Sequence, residues 1–155
     1  MAFITDLKTG QAAEQLFVST LSKNPNNTDF TYNTSTKLSE LKKYDVSFSM
    51  AGKPIKAEIK HDLKAVETGN LAIEYMNLKG AKTGILSTQS DLYVFLVGED
   101  FLVFITSDLK KLAFDASKKF KYVDNRAGNA ALILIPISEA VKIAKVININ
   151  RCIAA

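Results

Sequence analysis

From Tyr44 to Lys60 the chain reads YDVSFSMAGKPIKAEIK, and its apolar and polar side chains alternate so regularly that a β-hairpin is the local fold they specify. On the first arm Tyr44, Val46, Phe48 and Met50 alternate with Asp45, Ser47 and Ser49. On the second, Ile55, Ala57 and Ile59 alternate with Lys56, Glu58 and Lys60. Each arm thus carries one apolar and one polar face. Pairing Asp45 with Glu58 leaves Ala51-Gly52 as a two-residue turn, and pairing Asp45 with Lys60 leaves a four-residue loop from Ala51 to Pro54. A slip by one residue would set apolar side chains over charges, which disfavours it. In either allowed register Asp45 and Glu58 are direct or diagonal cross-strand neighbours, with Cβ atoms about 4.5 to 8 Å apart.

Two carboxylates at that distance can share a divalent cation, and oxygen ligands suit Mg²⁺ or Mn²⁺. With Lys60 beside them they form the minimum set for metal-assisted phosphodiester hydrolysis, in which an ammonium holds the attacking water by the phosphate. The plainer reading of Lys56, Glu58 and Lys60 is a solvated ladder with Asp45 as one more surface charge. Asp45 arriving on the same face one strand earlier is what favours the metal reading.

The chain has 155 residues, 47% hydrophobic and 23% charged, as expected for a single globular domain with a substantial core. Its net charge of +4 permits a polyanionic partner without demanding one. One cysteine, Cys152, and one histidine, His61, exclude an internal disulfide framework, a Cys/His zinc cluster and a Cys/His nucleophile. Asp6 and Lys8 interrupt the amino terminus, so it does not read as a signal peptide. No stretch approaches the roughly 20 apolar residues of a membrane span. A reducing cytoplasm is the expected compartment.

In chain order, Ala13, Leu16, Phe17, Thr20 and Leu21 fall at helical spacing and predict a helix from about Thr9 to Ser22, ended by the turn-forming NPNN at 24–27. Glu14 stands at the edge of that stripe, either as a first-turn acid favoured by the helix dipole or as a third carboxylate near the metal. Residues 24–43 read as a solvated loop with at most one short helix, with Lys37, Lys42 and Lys43 leading into the hairpin. LAIEYM at 71–76 reads as a third strand beside the hairpin, with Glu74 bordering the same polar surface or facing water. Thr83 can cap a short helix.

LYVFLV at 92–97 and FLVFIT at 101–106 form a second hairpin through Gly98-Glu99-Asp100, hydrophobic enough to be covered on both faces. A helix opens at Ser107-Asp108 and runs to about Ser117. Lys110, Lys111, Lys118, Lys119 and Lys121 cluster here, as a solvated face or, if on the side of the carboxylates, as a phosphate footprint. ALILIPI at 131–137 is a buried strand and SEAVKIAKV a closing helix capped by Ser138. The apolar tail VININRCIAA packs on its own core or on a second copy, in a homo-oligomer.

Tyr44-Asp45-Val46 followed by Glu58-Ile59-Lys60 resembles the D…ExK signature of the PD-(D/E)XK, or restriction-endonuclease-like, nuclease superfamily. Glu67 through Thr68-Gly69-Asn70 to Ile73-Glu74-Tyr75, then Thr83-Gly84-Ile85 and Ser90-Asp91-Leu92-Tyr93, is similar to small phage-encoded members. The likeness covers about the first two thirds of the chain. It implies an α/β fold with an αβββαβ core, a mixed central sheet flanked by helices, and a Mg²⁺-dependent DNA nuclease in which Mn²⁺ substitutes. By the same resemblance Asp45, Glu58 and the Ile59 carbonyl are metal ligands, Lys60 positions the water and Glu14 matches the helical acid many members add. No proline precedes Asp45, where the family name has one. A catalytically silent nucleic-acid-binding or interaction module on the same fold is the alternative, and an unrelated α/β binding domain with a charged hairpin a third.

Overall fold

The computed structural model of the chain describes residues 2–34, 37 and 43–150. Lys42, Cys152 and the last five residues of the apolar tail lie outside them. Helix α1 spans Ala2–Leu21, starting earlier than the apolar stripe indicates. Its end is tied down by Asn27, whose side-chain amide donates to the Leu21 carbonyl at 3.0 Å, one of the carbonyls a helix end leaves unpaired.

Six strands form the central sheet in the order β1-β2-β3-β5-β6-β9: β1 (Asn27–Tyr32), β2 (Val46–Met50), β3 (Lys53–His61), β5 (Leu92–Val97), β6 (Asp100–Ile105) and β9 (Lys145–Asn148). Its inner pair β3 and β5 is parallel and its other pairs are antiparallel, so the sheet is mixed. Val46 pairs with Ala57 and Met50 with Lys53, which selects the register with the two-residue turn. Ala51 and Gly52 both have positive φ, 50° and 80°, the conformation whose twist matches that of the flanking strands.

Between β3 and β5 the chain makes a one-turn helix α2 (Ala65–Thr68), strand β4 (Asn70–Met76) and a 3-10 turn at Gly84–Leu86. Beyond β6 come α3 (Thr106–Ala113), β7 (Lys121–Asn125), β8 (Ala130–Pro136) and a second one-turn helix, α4 (Ile137–Ala140). Strand β4 does not join the hairpin. It pairs with β8 in a separate three-stranded sheet, β4-β8-β7. The expected third strand is therefore real but belongs to another layer, because alternation specifies a face and leaves the partner open.

The neighbour that the hairpin does acquire is β1, from the segment expected to be loop. NTDFTY is polar, bulged between Thr28 and Thr31, and buries fully only Asn27, so it carries little strand pattern. The closing helix is likewise shorter than expected, one turn followed by edge strand β9. Ile147 there packs against the core opposite Phe101.

The central sheet separates two apolar layers. On one face Ala13, Phe17 and Leu21 of α1 pack on Val46, Phe48, Ala57, Ile59, Val94, Leu96 and Phe101, with Phe17 edge-on to Phe48 and Phe101. On the other, Tyr93, Phe95, Leu102 and Phe104 meet Leu71, Ile73, Ile133 and Ile135 of the second sheet, together with Leu109 of α3. A sheet, rather than helices alone, thus covers that face. Full burial of each large side chain contributes about 1.5 to 3 kcal/mol, and β5 and β6 contribute to both layers, as their continuous hydrophobicity predicts.

Candidate functional site

Asp45 lies immediately before β2, where its own N–H donates to the Ala57 carbonyl at 2.9 Å. Its carboxylate turns across to β3 and accepts the Ile59 N–H through Oδ2 at 2.7 Å. One oxygen is spent fixing the strand entry, and the carboxylate is thereby held against the Glu58-Ile59-Lys60 segment.

Glu58 is 7% exposed although charged, and burying a carboxylate requires partners. Lys60 Nζ stands 3.2 Å from Oε1, and the Thr88 hydroxyl lies 3.2 Å from Oε2. Thr88 Oγ1 also lies 3.1 Å from the Lys43 carbonyl and 2.8 Å from Ser90 Oγ, and accepts the Ser90 N–H. Its single proton is shared among these acceptors. The Lys60 side chain keeps 41% exposure, so its ammonium reaches from the buried acid to the surface.

Glu14, half-buried on α1, completes the electrostatic cluster. Burial, then Asp45 and Glu58, push its pKa up to about 7, with Lys60 opposing. Asp45 is pushed up to about 6 by burial and then Glu58, against the Ile59 N–H and Lys60. Burial works against the Lys60 charge, but Tyr93, Glu58 and Asp45 outweigh it and hold the ammonium above its ordinary range. Water at its exposed side screens part of that effect. Tyr93, which faces Glu58 across the β3–β5 pair, stays a neutral phenol because burial pushes its pKa above the usual range, against Lys60.

Three carboxylates therefore share one ammonium, and Glu14 and Asp45 resist ionisation first because they are buried and then because the other carboxylates repel them. That donor set fits a hard divalent cation, which would relieve the repulsion directly. Among the described residues no group of three or more His, Cys, Asp or Glu side chains forms a ready-made metal cage. A cation held by the Asp45 and Glu58 carboxylates would complete its shell with waters and phosphate oxygens, as Mg²⁺ characteristically does.

Asp45, Glu58 and Lys60 are thus brought together, with Glu14 within electrostatic reach. Glu74, from the second sheet, lines a groove of about 440 Å³ together with Lys60 and Tyr93, so it borders the site from another layer. His61 ends β3 in the same groove wall, its Nδ1 buried and without a hydrogen-bond partner. Thr83 precedes the 3-10 turn but makes no capping bond. The sequence assigns no site role to Thr88, Ser90 or Tyr93, although Ser90 and Tyr93 fall among the residues of the family resemblance. The run Ser87-Thr88-Gln89-Ser90 shows its hydroxyls, but the separation of 30 positions between Thr88 and Glu58 hides the contact.

No protein-family model matches this chain, and no curated protein matches it. Among solved structures, the chain is similar to "The structure of a bacterial homing endonuclease: I-Ssp6803I", with 20% identity, a TM-score of 0.43 and coverage of 78% of this chain and 83% of that one.

Proposed function

We propose that this chain is a divalent-metal-dependent DNA nuclease whose centre is Asp45, Glu58 and Lys60. The observation that carries the reading is the convergence of a buried glutamate, its lysine partner at 3.2 Å and an aspartate from the neighbouring strand. Glu14 and Asp45 with raised pKa values mark the charge imbalance a cation would correct.

Asp45 and Glu58 would hold the cation, with the Ile59 carbonyl as a further oxygen and Glu14 as a third acid nearby. Bound there, Mg²⁺ or Mn²⁺ would supply Lewis-acid charge to the phosphate oxygens. Lys60 positions the attacking water in line with phosphorus and adds positive charge as the trigonal-bipyramidal transition state forms. The water oxygen bonds to phosphorus as it gives up one proton to solvent, the bond to the leaving sugar oxygen breaks, and that oxygen takes up a proton from solvent. Thr88 keeps the Glu58 carboxylate from swinging out of line.

A second reading, DNA or partner binding without cleavage, is favoured by the Lys60–Glu58 ion pair itself, which can neutralise Glu58 with no metal present. Incubation with linear, circular, single-stranded and branched DNA, with and without Mg²⁺ or Mn²⁺, separates the two. The expected result is metal-dependent cleavage that falls on the order of 100-fold or more in Asp45→Ala, Glu58→Ala and Lys60→Ala, each still folded. Full activity of a folded Glu58→Ala protein contradicts the site. Metal-independent DNA binding with no cleavage selects the second reading.

A further inference from the structure

Two grooves open on one face of the second sheet. The groove beside Lys60 is also lined by Lys64, Ala72, Glu74, Asn125 and Leu132. A second, of about 430 Å³, is lined by Asn70, Lys118, Lys119, Lys121, Leu134 and Pro136, with Glu139 at its side. Strand register shows that they adjoin. Glu74 pairs with Leu132, Ala72 with Leu134 and Asn70 with Pro136, while Lys121 pairs with Leu134 on the other side. These residues alternate with Leu71, Ile73, Ile133 and Ile135, which are fully buried against the central sheet, so they form the outward face.

From Glu74 to Asn70 along β4 is about 13 Å, the rise of roughly four nucleotides of one duplex strand. The far groove is strongly basic. Glu139 there is already occupied by Lys118 at 3.4 Å and Lys142 at 3.0 Å, while Lys119 and Lys121 are exposed on the groove wall. In the near groove the Asp62 carboxylate is spent on the Ala65 and Ala72 N–H groups, which leaves Glu74 as its acid beside Lys60 and Lys64.

We infer that the outward face of the β4-β8-β7 sheet carries the DNA backbone from Lys60 to Lys118, Lys119 and Lys121, which grip phosphates about four nucleotides from the scissile one. This rests on the nuclease reading above, extending it from the reacting phosphate to the path of the strand. Ala72, Leu132, Leu134 and Pro136 give that path an uncharged floor between Lys60 at one end and the basic groove at the other. The binding energy comes from phosphates, so the grip is sequence-independent and steeply salt-dependent.

The test is DNA binding by fluorescence anisotropy over a series of salt concentrations, with Ca²⁺ as the only divalent cation. Wild type is compared with the triple variant Lys118→Gln, Lys119→Asn, Lys121→Gln and with a control, Lys23→Gln, Lys110→Gln, Lys111→Gln, whose residues line neither groove. Asn is chosen at 119 because the backbone there has φ of 52°, which Asn tolerates. Thermal melts check that both variants fold. The expected result is binding about tenfold weaker and a log–log salt slope shallower by about 2 to 3 in the first variant, with much smaller changes in the control. Equal losses in both variants, or no loss in the first, overturn the path. If wild type cleaves DNA while the first variant binds unchanged, the path alone fails. If wild type binds through these lysines but cleaves nothing with Mg²⁺ or Mn²⁺, the nuclease reading alone fails, and absence of binding removes both.

Discussion

Glu58 is held from both sides, by Lys60 on Oε1 and by Thr88 on Oε2, so its orientation depends on a hydroxyl that never needs to touch substrate. Partners that orient a metal-binding carboxylate typically change metal affinity 10- to 100-fold when removed. Thr88→Val should weaken Mn²⁺ binding by about that much in calorimetry, and Thr88→Ser should restore most of it. Equal affinity in all three proteins would leave Thr88 a packing residue. Glu14 makes a second residue-scale case. Its folded pKa of about 7 lies above the usual 4.5, so the folded state binds the proton more tightly than the unfolded chain. Its destabilising effect is absent below pH 4.5, grows as pH rises towards 7 and is complete above that. In the presence of EDTA, Glu14→Gln should therefore raise stability at pH 8 by about 1 to 2 kcal/mol, since water at the half-buried carboxylate screens part of the effect, and by little at pH 4. A variant less stable than wild type at pH 8 would mean that burial, Asp45 and Glu58 together do not disfavour the Glu14 charge.

At the scale of elements, the hairpin was legible because alternation, turn and partner all lie within 17 consecutive residues. Strand β1 was not, since its only substantial apolar packing residue is Phe30, stacked on Phe48 at 5.0 Å. For β4 the period was readable, but the 3-10 turn, β5, β6, α3 and β7 separate it from its partner β8. Lys121 reads only as part of a lysine cluster, a solvated face or a phosphate footprint, yet Lys121–Asn125 pairs along β8 as β7, leaving that lysine outward. The 3-10 turn after β4 is fixed by a close approach: Gly84 has φ of 51°, and a Cβ there would overlap the Glu74 carbonyl oxygen. Gly84→Ala should cost about 2 kcal/mol or more, read as a lower denaturation midpoint, and should loosen the Thr88 segment that follows. Wild-type stability in that variant would show that the turn is free to shift away from β4.

On the scale of the whole molecule, the site exists only because three separate stretches meet. Helix α1 brings Glu14, the entry to β2 brings Asp45, and β3 brings Glu58 and Lys60. The last two stretches are joined by a local hairpin, which is why Asp45, Glu58 and Lys60 were visible in the sequence. Glu14 required knowing that α1 lies on the β3 face, a packing fact that helical periodicity suggests without identifying the surface it covers. Glu74 beside the site and the lysine cluster as a phosphate footprint were alternatives that the sequence left open, because the second sheet depends on pairing between β4 and β8. Among the described residues no helix is long and apolar enough to cross a membrane.

A cation that binds the folded site and not the unfolded chain stabilises the protein by about 2.7 kcal/mol at 100 times its dissociation constant. Thermal melting at pH 8 against Mn²⁺ concentration, with wild type beside Glu58→Gln and Asp45→Asn, measures this directly. The expected result is a Tm that climbs with Mn²⁺ in wild type and stays flat in both variants. A flat wild-type curve, or the same climb in all three proteins, would contradict a metal held between Asp45 and Glu58.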